Sequence, residues 1–173
     1  MDIKTERLCF RLCAPSDFAA MLDLYSRPEV ARMVASWPLP PDHDLVRERC
    51  NPFPLEDGLV GVIERNGKVI GSMGCARRPA GDFGLGYGFH PDHWGRGYAT
   101  EMARAVLTCI FEREDCNLVT AGHFTDNPAS GRVLEKLGFK FSHHEMLLSK
   151  GRGHEAMCAE YELTKAQWLE FQH

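Results

Sequence analysis

The sequence of 173 residues has none of the patterns that mark membrane-spanning, secreted or nucleic-acid-binding proteins. No apolar run approaches the ~20 residues that a membrane-spanning helix needs. The N-terminal stretch MDIKTERLCFRLC carries charges where a signal peptide has its apolar core. The formal net charge of −4 and the pI of about 6.1 provide no basic excess for binding nucleic acid. These absences predict a cytoplasmic protein that binds neither membrane nor nucleic acid.

Patterns for metal sites, disulfide frameworks and the common nucleotide folds are also missing. The seven cysteines are scattered with no CxxC pair, and the eight histidines form neither HxH nor HExxH. We therefore expect reduced thiols and no metal site. There is no GxxxxGK[ST] run for a P-loop and no GxSxG elbow for a serine hydrolase. The stretch GRGYAT supplies only GxGxxT where a dinucleotide fold needs GxGxxG.

The composition that remains is that of one globular domain, which we expect to span residues 1–173. Apolar residues make up 44% and charged residues 25%, and this length suffices to bury a sizeable core. Periodicity and turn residues predict strands at 5–13, 58–65, 68–77, 81–90, 117–124, 139–149 and 155–164. They predict helices opening at Pro15, over 29–34, 42–50 and 165–171, and after Gly97 and Asn127. This order predicts an α/β fold of the α+β kind, with flanking helices on a largely antiparallel mixed sheet.

The clearest helix signal follows the glycine turn WGRGYAT, residues 94–100. Apolar residues recur from Ala99 to Phe111 with a period of 3.6 and form one stripe. The first backbone N–H groups of a helix have no acceptor within it, and the helix dipole adds positive charge there. Gly95 and Gly97 carry no Cβ and Arg96 adds formal charge, so a phosphate can approach closely. The alternative is that these glycines only allow a tight strand-to-helix turn.

A second helix begins after Asn127, which is placed as N-cap, and ends at Gly138. Ser130 lies on its inward, apolar face, where a hydroxyl needs a partner. The strand over 81–90, GDFGLGYGFH, has glycine at alternate positions, which weakens a strand unless a bulge or a ligand uses the space. The strand and the glycine turn that follows it therefore indicate an extended slot for a phosphate-headed ligand.

These segments resemble the GNAT superfamily of N-acetyltransferases. LGYGFHPDHWGRGYATEMARAVLTCIFE followed by NPASGRVLEKLGF is similar to the acetyl-CoA signature of that superfamily. The form HWGRGYAT with NxxSxRVLEKLGF resembles the branch that includes the ribosomal-protein N-terminal (alanine/serine) acetyltransferases, and TERLCFRLCAPSDF resembles its first strand and helix. The resemblance covers about residues 5–145. It implies the GNAT acyl-CoA N-acyltransferase fold, in which a central pair of strands splays apart.

The resemblance also implies which residues bind acetyl-CoA, the expected cosubstrate. The family's Q/R-x-x-G-x-G/A turn maps onto residues 94–99, with Trp94 in place of Gln or Arg. Backbone N–H groups of this turn would hold the CoA pyrophosphate, the strand ending at Phe89 would face the pantetheine arm, and Asn127 would bind the pantetheine or the substrate. The implied cofactor-binding residues are Phe89, Trp94, Gly95, Arg96, Gly97, Tyr98, Ala99, Thr100 and Asn127.

The resemblance leaves open which residues act as the catalytic acid and the catalytic base. Elsewhere in the superfamily a Tyr seven residues after that Asn serves as acid; here the position holds Leu134, which leaves Ser130 as the catalytic candidate. Ser130 either assists the leaving thiolate or only orients the sulfur, and a buried, hydrogen-bonded core hydroxyl is the alternative. Relatives in this branch often carry Glu where this sequence has Gly84, so that base is missing. The candidates that remain by rough location are Glu64, Asp82, His90, His93, His123 and Asp126.

The residues and the resemblance together predict an enzyme that transfers an acetyl group from acetyl-CoA to a primary amine. The amine would attack the thioester directly in a ternary complex, with the oxyanion on a backbone donor of residues 86–89. The acceptor is a protein N-terminal α-amine or a small-molecule amine, and a missing base favours amines of lower pKa. The protein would be a monomer or a homodimer. The alternative is a non-catalytic acyl-CoA-binding module or regulator with a degenerate active site.

Overall fold

A computed structural model describes residues 1–172 as a single eight-stranded sheet with helices on both faces. The strands are β1 (Asp2–Lys4), β2 (Cys9–Leu12), β3 (Gly58–Arg65), β4 (Lys68–Arg77), β5 (Phe83–Phe89), β6 (Leu118–Phe124), β7 (Lys140–Ser149) and β8 (His154–Thr164). The helices are α1 (Phe18–Tyr25), α2 (Pro28–Ala31), α3 (His43–Arg49), α4 (Tyr98–Phe111), α5 (Pro128–Lys136) and α6 (Lys165–Phe171). Across the sheet the strands follow the order β1-β2-β3-β4-β5-β6-β8-β7, which confirms the expected α/β class.

Neighbouring strands pair antiparallel everywhere except between β5 and β6. β5 pairs with β4 along its whole length, but it pairs with β6 only at Phe83–Val119 and Gly84–Thr120. Beyond these two pairs the strands separate, and a slot opens in the middle of the sheet. The expected splayed central pair is therefore confirmed.

Two hydrophobic cores lie on opposite faces of the sheet. The apolar stripe of α4, including Met102, Val106 and Ile110, is fully buried against one face. α1 and α3 cover the other face in a smaller cluster of their own. Val62 and Ile63 are adjacent on β3 but belong to different cores, as the alternation of a strand requires. The slot thus has one wall on the α4 face and another on the α1 face.

The structure differs from the sequence-based expectations mainly near the N-terminus. Of the strand expected over 5–13 only β2 forms, because Thr5 and Leu8 close a tight turn in which the Thr5 N–H donates to the Leu8 carbonyl at 2.9 Å; β1 precedes the expected range. The second expected helix ends already at Ala31, and α3 confirms the third, with the side chain of Asp42 as its N-cap. Within residues 1–172, none of the helices combines the length and apolar character needed to cross a membrane.

Candidate active site

The turn between β5 and α4 adopts a backbone conformation that depends on its glycines. Gly95 and Gly97 have φ angles of +71° and +77°, a region that residues with a Cβ rarely adopt. Gly97 is the N-cap of α4, and a Cβ built on Gly95 would meet nothing within 4 Å. The N–H groups of residues 98–100 have no acceptor within the helix and lie at the positive end of its dipole. This end of α4 therefore fits a phosphate group.

Aromatic and basic side chains fix and flank this turn. Trp94 is 50% exposed and donates its Nε1–H to the Phe89 carbonyl at 2.8 Å, which ties the turn to the end of β5. Tyr98 is buried, and the guanidinium of Arg7 lies 4.6 Å from the centroid of its ring. Arg96 is exposed and forms no ion pair with any residue of 1–172. Its charge is therefore free to meet an anion at the turn.

The nine residues predicted to bind the cofactor and the catalytic candidate Ser130 all lie in the wall of one cleft of about 1160 Å³. The cleft extends from the start of α4 through the slot between β5 and β6 to the face covered by α1 and α3. The predicted residues in its wall are Phe89, Trp94, Gly95, Arg96, Gly97, Tyr98, Ala99, Thr100, Asn127 and Ser130. The fold thus brings together two motifs that are separate in sequence.

Backbone groups of β5 face the slot. The His90 N–H donates to the Ile70 carbonyl of β4 at 2.8 Å. The alternation of an antiparallel pair then turns the N–H groups of even-numbered residues toward β4 and those of Tyr87 and Phe89 toward β6. Because β6 has separated at this level, these two N–H groups have no strand partner within residues 1–172. They can donate to a carbonyl that enters the slot.

Ser130 has a partner that the sequence did not reveal. Its Oγ lies 2.9 Å from the hydroxyl of Tyr87, and either oxygen can be the donor. Burial raises the pKa of Tyr87 to about 12, so the phenol stays protonated near neutral pH. Both residues line the cleft. With Tyr87 donating to its oxygen, the Ser130 hydroxyl is free to donate its own proton into the cleft.

Asn127 is the N-cap residue of α5, as the sequence predicts. Its backbone φ of −118° and ψ of 66° accompany no side-chain capping hydrogen bond. The Asn127 backbone N–H donates instead to the Phe124 carbonyl at 2.8 Å, which fixes the loop. Because the side chain is in the cleft wall and does not cap the helix, its amide is available to a ligand.

Four of the six positions considered for the base do not line the cleft. Glu64 lies 2.7 Å from Arg11, and Asp126 lies 2.6 Å from Arg152, so both carboxylates are held in ion pairs. The Arg152 guanidinium lowers the pKa of Asp126. Asp82 and His90 also lie outside the cleft wall. The prediction that one of these four is the base finds no support in the geometry.

The other two positions, His93 and His123, do line the cleft. Burial lowers the pKa of His93, which favours its neutral form. In His123, Nδ1 lies 2.9 Å from the Phe124 carbonyl, so Nδ1 carries the proton and Nε2 the lone pair. That Nε2 is buried without a hydrogen-bond partner in the described chain and would lie 2.8 Å from a Cβ on Gly131 of α5. The His123 ring thus packs closely against the start of α5.

The space above Gly84 is filled by the side chain of an arginine. A Cβ on Gly84 would lie 2.9 Å from Cδ of Arg78. The Arg78 side chain extends to β6, where its guanidinium donates to Oγ1 of Thr120 at 2.7 Å. The Arg78 side chain therefore fills the space above Gly84, and the base has to be sought elsewhere in the cleft.

A carboxylate on β8 reaches the slot from the other side. Glu160 pairs with Gly122 of β6, and a Cβ on Gly122 would lie 2.2 Å from Glu160 Oε1. The carboxylate thus occupies the space that Gly122 leaves open, and it accepts a hydrogen bond from the Cys158 thiol at 3.1 Å. Across the slot, a Cβ on Gly86 would meet nothing within 4 Å. Sequence reasoning missed Glu160, because Glu162 lies two residues further along the same strand and nothing in the sequence distinguishes the two.

Aromatic rings of α1 and the following loop form the far wall of the cleft. Tyr25 donates to or accepts from Ser72 at 2.6 Å, and its hydroxyl would lie 3.0 Å from a Cβ on Gly88. Trp37 stacks on Tyr25 with ring centroids 3.8 Å apart and an angle of 5°. Burial raises the pKa of Tyr25 to about 12, so this hydroxyl is neutral. The wall is therefore rigid, apolar and open toward the slot.

Comparison with known proteins gives one family and a consistent set of similar folds. Residues 7–140 match the family model described as Acetyltransferase (GNAT) domain. The chain is 27% identical over 145 residues to the uncharacterized N-acetyltransferase YoaA of Bacillus subtilis (strain 168), which covers 80% of this chain and 82% of the relative.

Solved structures resemble the chain over nearly its whole length. The ribosomal L7/L12 α-N-protein acetyltransferase RimL, in complex with coenzyme A, superposes with a TM-score of 0.80 at 18% identity, covering 95% of this chain and 98% of RimL. AAC(6')-Ib in complex with ribostamycin and coenzyme A gives a TM-score of 0.78 at 16% identity, covering 97% and 99%. At these identities the likeness shows the fold, and it confirms the one expected from the sequence.

Proposed function

Because this chain belongs to the GNAT acetyltransferase family, we propose that it transfers the acetyl group of acetyl-CoA to a primary amine by direct attack, as a single catalytic domain spanning residues 1–173. The observation that supports this best is the continuity of the cleft. The proposed phosphate-binding turn lies at one end of the cleft, and the open space between Gly86 and Gly122 lies at the other. The slot between β5 and β6 joins the two ends. The two substrates enter from opposite faces and meet where the strands separate.

In this proposal the start of α4 holds the CoA pyrophosphate. The N–H groups of residues 98–100 donate to its oxygens, and Gly95 and Gly97 keep the approach free of side chains. Arg96 adds a positive charge at the same end. The pantetheine arm then lies along β5, with the Asn127 amide as a hydrogen-bonding partner from α5.

The thioester carbonyl is placed at the slot. The amine nitrogen bonds to the thioester carbon, the carbonyl oxygen becomes negative, and the carbon–sulfur bond then breaks. The free N–H groups of Tyr87 and Phe89 are positioned to stabilise the oxyanion. Such donors act without reorganisation because β4 already holds the strand in place.

Ser130 and Tyr87 together serve the leaving group. As the carbon–sulfur bond breaks, Ser130 donates a hydrogen bond to the sulfur and Tyr87 donates one to Ser130 through the 2.9 Å contact between their oxygens. Both hydroxyls keep their protons, and CoA leaves as the thiolate. A thiol of ordinary pKa leaves with little help, so this pair contributes at the low end of the range for a positioned acid, roughly 10²-fold.

Glu160 is the base in this proposal. Its carboxylate is half-buried, lies over Gly122 at the slot, and is outside every ion pair of the described chain. It accepts the proton that the amine loses on attack. The neighbouring Cys158 is not suited to an acyl-enzyme route, because burial and the Glu160 carboxylate raise the pKa of its thiol.

The acceptor is a primary amine, either a protein N-terminus or a small molecule. Two similar structures illustrate both kinds: RimL is named for a ribosomal protein α-amine, and AAC(6')-Ib was solved with ribostamycin. An α-amine of pKa near 8 is about a tenth neutral at pH 7, whereas lysine near 10.4 is below about a thousandth. With Arg78 over Gly84 in place of a second carboxylate, this chain is expected to favour the amine of lower pKa.

A mass-spectrometric screen with isotope-labelled acetyl-CoA tests the proposal. The panel contains peptides with free and blocked N-termini, lysine side chains, polyamines, aminoglycosides and amino acids at pH 7. We expect labelled N-acetyl products and a higher rate for α-amines than for matched lysine side chains. CoA binding without acetylation of any amine would instead identify a non-catalytic acyl-CoA-binding module.

A further inference from the structure

Charged side chains in the cleft wall differ in how far they are buried. Within residues 1–172, seven of those that carry a full charge are exposed, namely Glu29, Glu48, Arg78, Arg96, Arg132, Lys136 and Glu145. The two half-buried ones are Arg49, at the end of α3, and Glu160. Neither forms an ion pair within the described chain. A charge that is partly removed from water without a counter-ion costs free energy, which a ligand of opposite charge restores.

Arg49 is held in place by contacts that leave part of its guanidinium unused. Its Cζ lies 4.3 Å from the centroid of the Trp37 ring, so the guanidinium stacks on the aromatic wall. Nη1 and Nη2 donate to the hydroxyl and the carbonyl of Ser36 at 3.1 and 3.2 Å. These bonds use two of the five N–H donors of a guanidinium, and the others have no acceptor in the described chain. A stacked, oriented guanidinium with free donors is well suited to bind a carboxylate.

The aromatic wall places Arg49 at a short distance from the slot. Tyr25 contacts β5 at Gly88, Trp37 stacks on Tyr25 at 3.8 Å, and Arg49 stacks on Trp37. Gly86 lies two residues before Gly88 on the same face of β5. A Cβ on Gly86 would meet nothing within 4 Å, so there is open space above it, across the slot from Glu160. Arg49 and Glu160 both line this cleft, so an elongated small molecule lying along the aromatic wall has the shape needed to contact both charges.

We propose that Arg49 binds a carboxylate of the acceptor, so that the acceptor is a small amino carboxylic acid whose amine lies at Glu160 and the slot. This inference rests on the proposed acetyl transfer and adds to it the class of acceptor. In a protein acceptor the α-carboxyl group of the first residue is part of a peptide bond, so the N-terminal amine has no free α-carboxylate beside it. A polyamine would place a cation against Arg49. The single unpaired cation and single unpaired anion in the half-buried part of the wall match a zwitterion.

Paired acceptors test the inference on the wild-type protein. Acetyl transfer is measured for a series of ω-amino carboxylic acids of increasing length and for the carboxamide of each, which keeps the amine and the length but removes the charge. Rates are corrected for the neutral fraction of each amine. We expect kcat/KM to favour the acid over the amide by about 10- to 100-fold at one chain length, as for a hydrogen bond to a charged group. A peptide with a free N-terminus, an amidated C-terminus and no acidic side chain should be a poorer acceptor than the acid of the best length.

Variants of Arg49 then assign the preference to this residue. Arg49→Gln should remove the preference for the acid by raising its KM, with the amide unchanged within a few fold, and Arg49→Lys should retain part of it. Arg47→Gln, which removes an exposed arginine of the same helix outside the cleft, is the matched control and should keep the full preference. Thermal melts and CoA affinity confirm that each variant is folded.

The outcomes separate this inference from the proposed function. Equal rates for acid and amide in the wild type, or an Arg49→Gln variant that loses both acceptors equally, would overturn the role of Arg49 and leave acetyl transfer intact. Efficient acetylation of the amidated peptide would overturn it in the same way. No transfer to any amine of the series or of the wider screen would overturn both.

Discussion

The substitution Gly97→Glu separates the phosphate-binding role of the glycine turn from its role as a tight turn. With φ at +77°, any residue with a Cβ is strained there by about 1–2 kcal/mol. Steric crowding adds little, because the nearest atom to a new Cβ is Nη2 of Arg7 at 3.7 Å. For a domain of this size we expect the melting temperature to fall by about 2–8 °C.

The effect on CoA should be much larger than the effect on stability. A glutamate at the N-cap of α4 brings a negative charge within about 5 Å of the expected pyrophosphate, a repulsion of about 3 kcal/mol at an effective dielectric constant near 20. That corresponds to a loss of affinity of about 100-fold. Isothermal titration calorimetry with CoA in the presence of EDTA measures it directly, and wild-type affinity should be indifferent to EDTA.

A matched control separates backbone strain from the new charge. Gly67, in the β3–β4 hairpin, has a φ of +73° and nothing within 4 Å of a built Cβ, and it lies outside the cleft. Gly67→Glu should lower stability by a similar amount and leave CoA affinity unchanged. If Gly97→Glu binds CoA as tightly as Gly67→Glu does, the assignment of the turn to the pyrophosphate is refuted.

Three further perturbations probe the other parts of the account. Ser130→Ala should lower kcat by up to roughly 10²-fold and Tyr87→Phe by roughly 10-fold. In both variants the CoA affinity, measured by calorimetry, should stay within a few fold of that of the wild type. Full activity in both would make the Ser130–Tyr87 contact purely structural. Glu160→Gln should lower kcat/KM by roughly 10²-fold at pH 7 and recover toward high pH as the amine deprotonates unaided; a pH-independent loss would argue against a base. Asp17→Asn should cost about 3 kcal/mol in urea unfolding, because it breaks a nearly buried pair with Arg11 at 2.7 Å. The Arg11 guanidinium lowers the pKa of Asp17. The stability that the pair contributes is therefore present above pH ~4 and is lost as the pH falls through the folded-state pKa of Asp17. An acid unfolding curve that is the same in wild type and variant would contradict this role of the pair.

Local sequence signals were enough to predict the glycine turn and the two helix starts that line the cleft. The turn around Gly95 and Gly97, the stripe of α4 and the start of α5 each depend on residues close together in the chain, and all three lie where the sequence predicted. The contact of Ser130 was foreseen as a need for a partner, because an inward hydroxyl must be satisfied. Its partner, Tyr87, was not, since pairing of α5 with β5 depends on the packed fold.

The acceptor end was largely beyond the reach of sequence reasoning. Glu160 enters the slot only because β8 is inserted next to β6 and Gly122 leaves room for its carboxylate. Arg49 meets Trp37 through a loop with no periodicity of its own. The candidates Glu64 and Asp126 were misjudged because long-range ion pairs with arginines cannot be seen from spacing alone.

Initial-rate kinetics with acetyl-CoA and an acceptor amine varied together test the central claim most directly, namely that both substrates meet in this cleft and the amine attacks the thioester itself. The account predicts intersecting double-reciprocal lines, and intact-mass spectra of protein incubated with labelled acetyl-CoA alone should show no acetylated enzyme. Parallel lines together with a labelled acetyl group on Cys158, the buried thiol beside Glu160, would contradict it.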